Sequence, residues 1–383
     1  MHPGVVAVVC LVVRLPLVNH RFTGPAFTLG IEEELMIVDA ESLELVNAVE
    51  ALLAPTPAGE IKPELMESVL EVSTDPCRNT AEAGEQLRAL RRQVAAAAAA
   101  RSLAIGAAGT HPFAMWEDQR IVDRPRYRDL VSALRFVARQ ELIFGTHVHV
   151  GMDDPDKAIH VANGMRVHMP ILLGLSANSP FWRADETGLA STRTPVFRAF
   201  PRVGIPPTYK DWDDYSRRID FMVEARVIAD YTYLWHDVRP HPNFGTVEIR
   251  VMDSQTRVEH TLGLAALAQG LVRELAEHYE AGERLSSYPF EMLDENKWLA
   301  ARHGLEGELV DLPSPDRVPT RSLARRLLDR TRDHCRDLGS LAELEAVDDL
   351  LERGNGAARQ VVVYQANHDL REVVAEIVAA TAV

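Results

Sequence analysis

The 383-residue chain is 46% hydrophobic, enough to bury a sizeable core in one large domain or two. Its formal net charge of −15, a pI near 5.4 and the lack of a long basic run argue against a nucleic-acid surface or an anionic membrane as main partner, and make the cytoplasm the expected location. Cys10, Cys77 and Cys335 lie far apart and form neither a CxxC pair nor an even disulfide framework, which fits a reducing compartment and speaks against thiolate-bound zinc.

At the N-terminus, Val5 to Val18 is apolar except for Arg14. It has no basic start and no small-residue cleavage site before Phe27, so a signal peptide is not expected; it is also too short and too charged to span a bilayer. Residues 1–26 read as a poorly ordered extension, or the product of an upstream start codon, ahead of a single catalytic domain over residues 27–383. Phe27 to Val38, FTLGIEEELMIV, is expected as the first strand, with a turn at Asp39 to Ser42. Ile61 to Thr74, IKPELMESVLEVST, has a mixed period. Ala81 to Ala100 is dominated by strong helix formers, with Asn79 or Thr80 as its cap. Leu103 to Gly109 and Leu142 to Val150 read as strands, and Asp156 to Leu175 as a helix ending near the turn SANSPFW, Ser176 to Trp182. Thr194 to Pro207 holds too many prolines for a regular element and predicts a long ordered loop over something functional. Phe244 to Met252 is a further strand, after which the pattern turns helical: Val258 to His278, Leu323 to Arg336, Leu341 to Leu351, and Ala357 to the C-terminus. There is no internal repeat and no sharp domain boundary.

Four segments place acidic or imidazole groups on expected strand faces or short turns. Because a strand alternates its faces, Glu32 and Glu34 of GIEEEL point one way and Ile31 and Leu35 the other, leaving Glu33 on the apolar side. In GTHVHVG, His147 and His149 share a side with Gly145 and Gly151, while Thr146, Val148 and Val150 take the other. In GTVEIRVMD, Glu248 and Arg250 alternate against Val247, Ile249 and Val251. Glu64 and Glu71 flank KPELMESVLEVS; if that segment were helical, Glu64, Glu67 and Glu71 would share a face. Taken singly, each motif also fits a solvated edge, a wet helix face or an in-strand ion pair worth little if exposed. Recurrence shifts the balance, since several carboxylates on one sheet face repel unless cations offset them. An oxygen-rich set with an imidazole suits Mg²⁺ or Mn²⁺ better than zinc. There is no GxxxxGK[ST], and no GxGxxG after a strand. Lys62, Lys157, Lys210 and Lys297 all stand outside glycine-rich contexts, so a bound nucleotide would depend on metals and arginines.

In order along the chain, GIEEEL, VLEVST, GTHVHVG, SANSPFW, PRVGIPP, TVEIRVMDSQT and GNGAARQ (Gly354 to Gln360) resemble the carboxylate-amine ligase family, the type 2 glutamate-cysteine ligases, from about Phe27 to the C-terminus. The resemblance implies an α+β fold with a glutamine-synthetase-like catalytic core: a curved, mainly antiparallel sheet with an acidic concave face, backed by helices, and a helical C-terminal region. It also implies Glu32, Glu34, Glu71, His147 and Glu248 as Mg²⁺ ligands, with Glu64 and His149 beside the substrates and ATP.

The implied reaction converts the γ-carboxylate of glutamate into an acyl phosphate with ATP, and the amine of cysteine then displaces phosphate to give γ-glutamylcysteine. Arg250, beside Glu248, is expected to stabilise the transferring phosphoryl group. Arg193 or Arg202 is expected to grip a substrate carboxylate by paired hydrogen bonds, although a loop arginine fits a solvated role as well. The expected partners are small molecules: glutamate, an amine such as cysteine, and ATP. Long apolar helices leave room for a homodimer. Two other readings stand beside this one. A metal-dependent hydrolase would use His147 and His149 as ligands and metal-bound water as nucleophile, against which stands the excess of glutamates over histidines. A non-catalytic amino-acid or nucleotide sensor would keep the fold without turnover.

Overall fold

A computed structural model describes residues 18–382. Cys10 and the apolar stretch up to Leu17 lie outside the described residues. One seven-stranded sheet organises the chain: β1 (Leu29–Asp39), β2 (Glu60–Pro63), β3 (Val69–Ser73), β4 (Leu103–Gly106), β5 (Gly145–Gly151), β6 (Val238–His241) and β7 (Thr246–Asp253). Its order is β6-β7-β5-β1-β3-β2, with β4 paired to the end of β1, and every pairing is antiparallel.

The alternation expected for these strands holds residue by residue. Ile31, Leu35 and Ile37 of β1, Val148 and Val150 of β5, and Val247 and Ile249 of β7 enter one hydrophobic core. Behind that face lie α1 (Thr80–Ala99), α2 (Pro155–Met165), α3 (Met169–Ser176) and α4 (Val258–Glu280). Most of α4 is buried, because it packs between α1, α2 and the later helix Thr320–Asp337; such a helix is apolar nearly all round. Asn79 caps α1 by accepting from the Glu82 amide, which satisfies one of the donors a helix start leaves open.

Glu33, the odd acid on the apolar side of β1, is fully buried against Arg91 of α1, itself fully buried. Two guanidinium hydrogen bonds of 2.8 Å join them, and the Thr261 hydroxyl of α4 donates to the same carboxylate. Arg91 also donates to the Gln255 and Thr256 carbonyls. One ion pair therefore joins sheet, α1 and the start of α4.

Several local expectations change. Ile61 to Thr74, whose period left strand and helix open, forms strands: Glu60–Pro63 and Val69–Ser73 pair antiparallel, since Pro63 disfavours helical backbone in the residue before it and gives no N–H to a helix. Asp156 to Leu175 breaks at the 3₁₀ turn Arg166–His168, with Pro170 in the first turn of the helix that follows. The proline-rich segment begins with a short helix, Arg193–Phe197, and only then becomes a loop. Leu341 to Leu351 is two helices, Leu341–Leu344 and Ala346–Arg353. The folded body also begins before Phe27. Phe22 is buried against Trp212, ring centroids 5.3 Å apart, and the Arg21 amide donates to the Pro242 carbonyl. No described helix is long and apolar enough to cross a membrane.

Candidate active site

The face of the sheet turned away from the helical core borders a cavity of about 370 Å³. Strand register brings the acids together. Glu32 of β1 stands opposite His147 of β5, and Glu34 opposite Glu71 of β3. Glu248 of β7 stands opposite His149 on one side and Arg239 of β6 on the other. Two groups of possible ligands result, Glu32 with His147 and Glu248, and Glu34 with Glu64 and Glu71; within each, the ligand atoms lie within 4.8 Å of one another. Lys62 joins the groups, with Nζ 2.7 Å from Glu71 and 3.8 Å from Glu32.

The two groups differ electrostatically. Burial pushes Glu34 up to about 7, with Arg193 opposing and Glu71 adding to the rise. Burial, then Glu71 and Glu34, holds Glu64 well above the usual carboxylate range. Glu71 is also raised, by burial and by Glu32. Three crowded carboxyls that resist ionisation are a place for a cation. In the other group, burial would raise Glu32, but the hydrogen bond to His147 (3.1 Å) and the His149 imidazole nearby (3.6 Å) outweigh it and lower the carboxyl well below its normal value. Glu248 is likewise lowered, since Arg239 and Arg250 outweigh burial.

The two histidines are not equivalent. Burial, with Arg250 beside it, pushes His147 down to about 4, leaving a neutral imidazole of the kind that ligates a metal. His149 is raised, because Glu248 and Glu32 outweigh burial. Its Nδ1 meets the Thr246 hydroxyl at 3.0 Å, and its buried Nε2 has no hydrogen-bond partner.

Arg250 joins Glu248 and His147, and its Nε is buried without a partner. Arg193 enters the cavity wall from the short helix after the SANSPFW turn. Its guanidinium occupies space that any side chain at Gly145 would fill: a Cβ there would come within 2.4 Å of Nη2. Arg202 does not line this cavity. Its guanidinium lies over the Trp235 ring at 5.3 Å and its Nε donates to the Tyr233 carbonyl at 3.0 Å; both partners belong to the cavity wall, and Arg202 packs behind them and lines a neighbouring groove. Glu67, which a helix would have grouped with Glu64 and Glu71, pairs instead with Arg120.

Among the wall residues that escaped the reading of motifs, four polar ones stand out. Arg239 binds Glu248 through Nε at 2.5 Å; the alternation of VRPH before the PNFG turn could have revealed it as the other arm of a hairpin. Lys62 lies opposite Glu71 in register, which required a strand where the period was mixed. Glu141 has a buried, unpartnered Oε2, and burial pushes it up to about 8. Tyr127 donates to the Pro63 carbonyl at 2.9 Å. No sequence signal marks the last two.

The crowded carboxyls of the second group and the neutral His147 beside Glu32 and Glu248 fit divalent cations, and buried guanidiniums beside them fit phosphate. One antiparallel sheet carries all of these groups on a single face, with helices packed on the other. A glutamate–cysteine ligase from Francisella tularensis, crystallised in complex with AMP, has the same fold, with a TM-score of 0.68 and 16% identity over 94% of this chain and 89% of that one. A bifunctional glutathione synthetase from Pasteurella multocida gives 0.65 and 16%, over 93% of this chain and 52% of its own. In sequence, a protein of Rubrobacter xylanophilus provisionally named glutamate–cysteine ligase 2-1 is 41% identical over 95% of this chain and 97% of its own length. A Sorangium cellulosum protein provisionally named glutamate–cysteine ligase 2 is 42% identical over 92% and 95%. The chain belongs to glutamate-cysteine ligase family 2, whose model matches residues 28–376.

Proposed function

We propose that the protein joins the γ-carboxylate of L-glutamate to the amine of L-cysteine, using ATP and passing through an acyl phosphate. The observation that carries this reading is the pairing of two ligand groups with Arg193 and Arg250 on one cavity wall. Glu32, His147 and Glu248 would hold one Mg²⁺, and Glu34, Glu64 and Glu71 another; Glu64 thus stands with the metal ligands rather than with the substrate alone. Bound Mg²⁺ supplies neutralisation of phosphate charge. Mn²⁺ suits the same donors.

A carboxylate is a poor electrophile, so its oxygen first attacks the γ-phosphorus of ATP and ADP leaves. The amine nitrogen then attacks the acyl carbon, phosphate leaves and the nitrogen gives up a proton. Positioning and charge compensation carry most of such a reaction. Arg250 stands beside Glu248 to meet the transferring phosphoryl group, and Arg193 offers its guanidinium to a substrate carboxylate.

The deciding experiment measures ADP release from ATP and Mg²⁺ with glutamate, scanning cysteine and other amines while the condensed product is followed by mass. Amine-dependent ADP release with a matching peptide supports the ligase and names its acceptor. Absence of ADP with every pair, despite ATP binding, turns the reading toward a sensor.

Two further outcomes follow from the site. His147→Asn should reduce turnover more than His149→Asn, because only His147 is held as a neutral imidazole; the reverse order in kcat would exchange their roles. Mg²⁺ affinity should rise with pH. Glu34 is raised to about 7, and Glu64 and Glu71 beside it are raised as well; a bound cation needs their carboxylates, so binding expels a proton from each of them that is still protonated. For each proton expelled the affinity should gain up to about tenfold per pH unit, and it should level off only once all three are ionised. Calorimetry in buffers of different ionisation enthalpy counts the protons, and an affinity flat from pH 6 to 8 would remove this coupling.

A further inference from the structure

Behind the cavity wall, segments that supply no ligand to the site converge on one buried carboxylate. Asp253, the last residue of β7, is fully buried. Its Oδ2 accepts hydrogen bonds from the Asn178 amide at 2.8 Å and the Ser179 hydroxyl at 2.7 Å. Its Oδ1 accepts from the Ser191 hydroxyl at 2.9 Å and lies 4.0 Å from Nη1 of Arg193. The Ser179 oxygen in turn accepts from the Arg193 amide at 3.2 Å, so Asp253 and Ser179 hold that residue at both its backbone and its charge.

The other restraints on the Arg193 side chain are uncharged: it donates to the Val251 and Arg250 carbonyls at 3.3 Å and lies over the Phe197 ring at 5.7 Å, while its Nε is buried without a partner. A second glycine makes room for the arrangement, as Gly145 does for the guanidinium: a Cβ at Gly109 would come within 2.6 Å of the Asp253 carboxyl. The late GNGAARQ segment reaches the same node. Gln360 donates to the Asn178 carbonyl and side-chain oxygen at 3.0 and 2.8 Å, and a Cβ at Gly356 would collide with Asn178 Oδ1 at 1.9 Å. A carboxylate this dry is stable only with its donors in place, which makes the node stiff.

We infer that Asp253, with Ser179 and Ser191, is a positioning unit for Arg193, orienting its guanidinium toward the carboxylate of the substrate. The assignment of that substrate rests on the ligase reading above; the orientation of Arg193 does not.

The test uses the full-length protein with Asp253→Asn, which keeps size and removes charge, and Ser191→Ala, which removes a single donor. The Arg193 Nε–H resonance, identified by its loss in Arg193→Lys, reports the guanidinium directly. It should shift or broaden in both variants, more in Asp253→Asn. With turnover available, KM for the carboxylate substrate should rise about tenfold in Asp253→Asn while KM for ATP changes less than about twofold. An unmoved resonance in folded variants overturns the proposal, and so does an equal change in every kinetic constant. If no amine supports ADP release, the ligase reading fails and the resonance still decides the positioning role. If Asp253→Asn does not fold, Ser191→Ala decides it alone.

Discussion

Glu34→Gln should lower kcat by roughly 10²-fold or more, the scale of losing a group that organises metal or transition-state charge, while leaving the metal-free fold as stable as before or more so above pH 7. Both halves follow from one arrangement. Glu34 sits among Glu64 and Glu71, whose possible ligand atoms lie within 4.8 Å of its own, and it resists ionisation up to about 7 because it is buried and repelled by Glu71. In the metal-free protein at high pH its charge is therefore unfavourable. Glutamine has nearly the same shape and can still accept from the Gly145 amide that Glu34 now holds, but it brings no charge to neutralise a cation. Activity and stability should separate, as they do where a site stores unfavourable charge for its function. Steady-state kinetics with Mg²⁺ in excess, alongside urea unfolding in EDTA, measures the two together. Full activity at saturating Mg²⁺ would place Glu34 outside the site; a large loss of stability would mean that the carboxylate holds the fold rather than the ion.

Removing the guanidinium of Arg91 should have the opposite signature. Arg91→Leu leaves the Glu33 carboxylate in the core with only the Thr261 hydroxyl, and it strips donors from the Gln255 and Thr256 carbonyls. Breaking a buried pair from one side costs about 3–5 kcal/mol, and here the pair joins β1 to α1 and the segment leading into α4. The fall should appear as a lower urea midpoint. At temperatures where the variant remains folded, kcat should stay near the parent value, since Glu33 lies on the face away from the cavity. Replacing both partners, Glu33→Leu with Arg91→Leu, should recover part of the loss by removing the stranded charge. A single variant that loses less than about 1 kcal/mol, the level of an exposed pair, would show that water reaches Glu33.

Strand alternation alone placed Glu32, Glu34, His147, Glu248 and Arg250 on one side and set Glu33 apart, because a period of two is a local property of extended backbone. The same alternation put Val148, Val150, Val247 and Ile249 in the core, where they are. Helix propensity and the Asn79 cap likewise marked α1 within a residue or two. Such features need only neighbours in the chain. What no short stretch contains is register. That Glu32 meets His147, that Glu34 meets Glu71 and that Arg239 meets Glu248 depends on which strands pair and with what offset, and one residue of slip would carry a whole row to the other face. Burial is also a product of assembly: Glu34 and Glu141 become weak acids, and His147 and His149 shift in opposite directions, only after the sheet closes over them. Arg202 shows the converse. Its residue type and loop suited a substrate grip, yet a ring and a carbonyl hold it elsewhere. The sequence by itself determined the chemistry available on each strand face, because side-chain type and alternation are local; only the tertiary structure decided which groups share a site and what charge they carry, because distance and solvent access are properties of the packed chain.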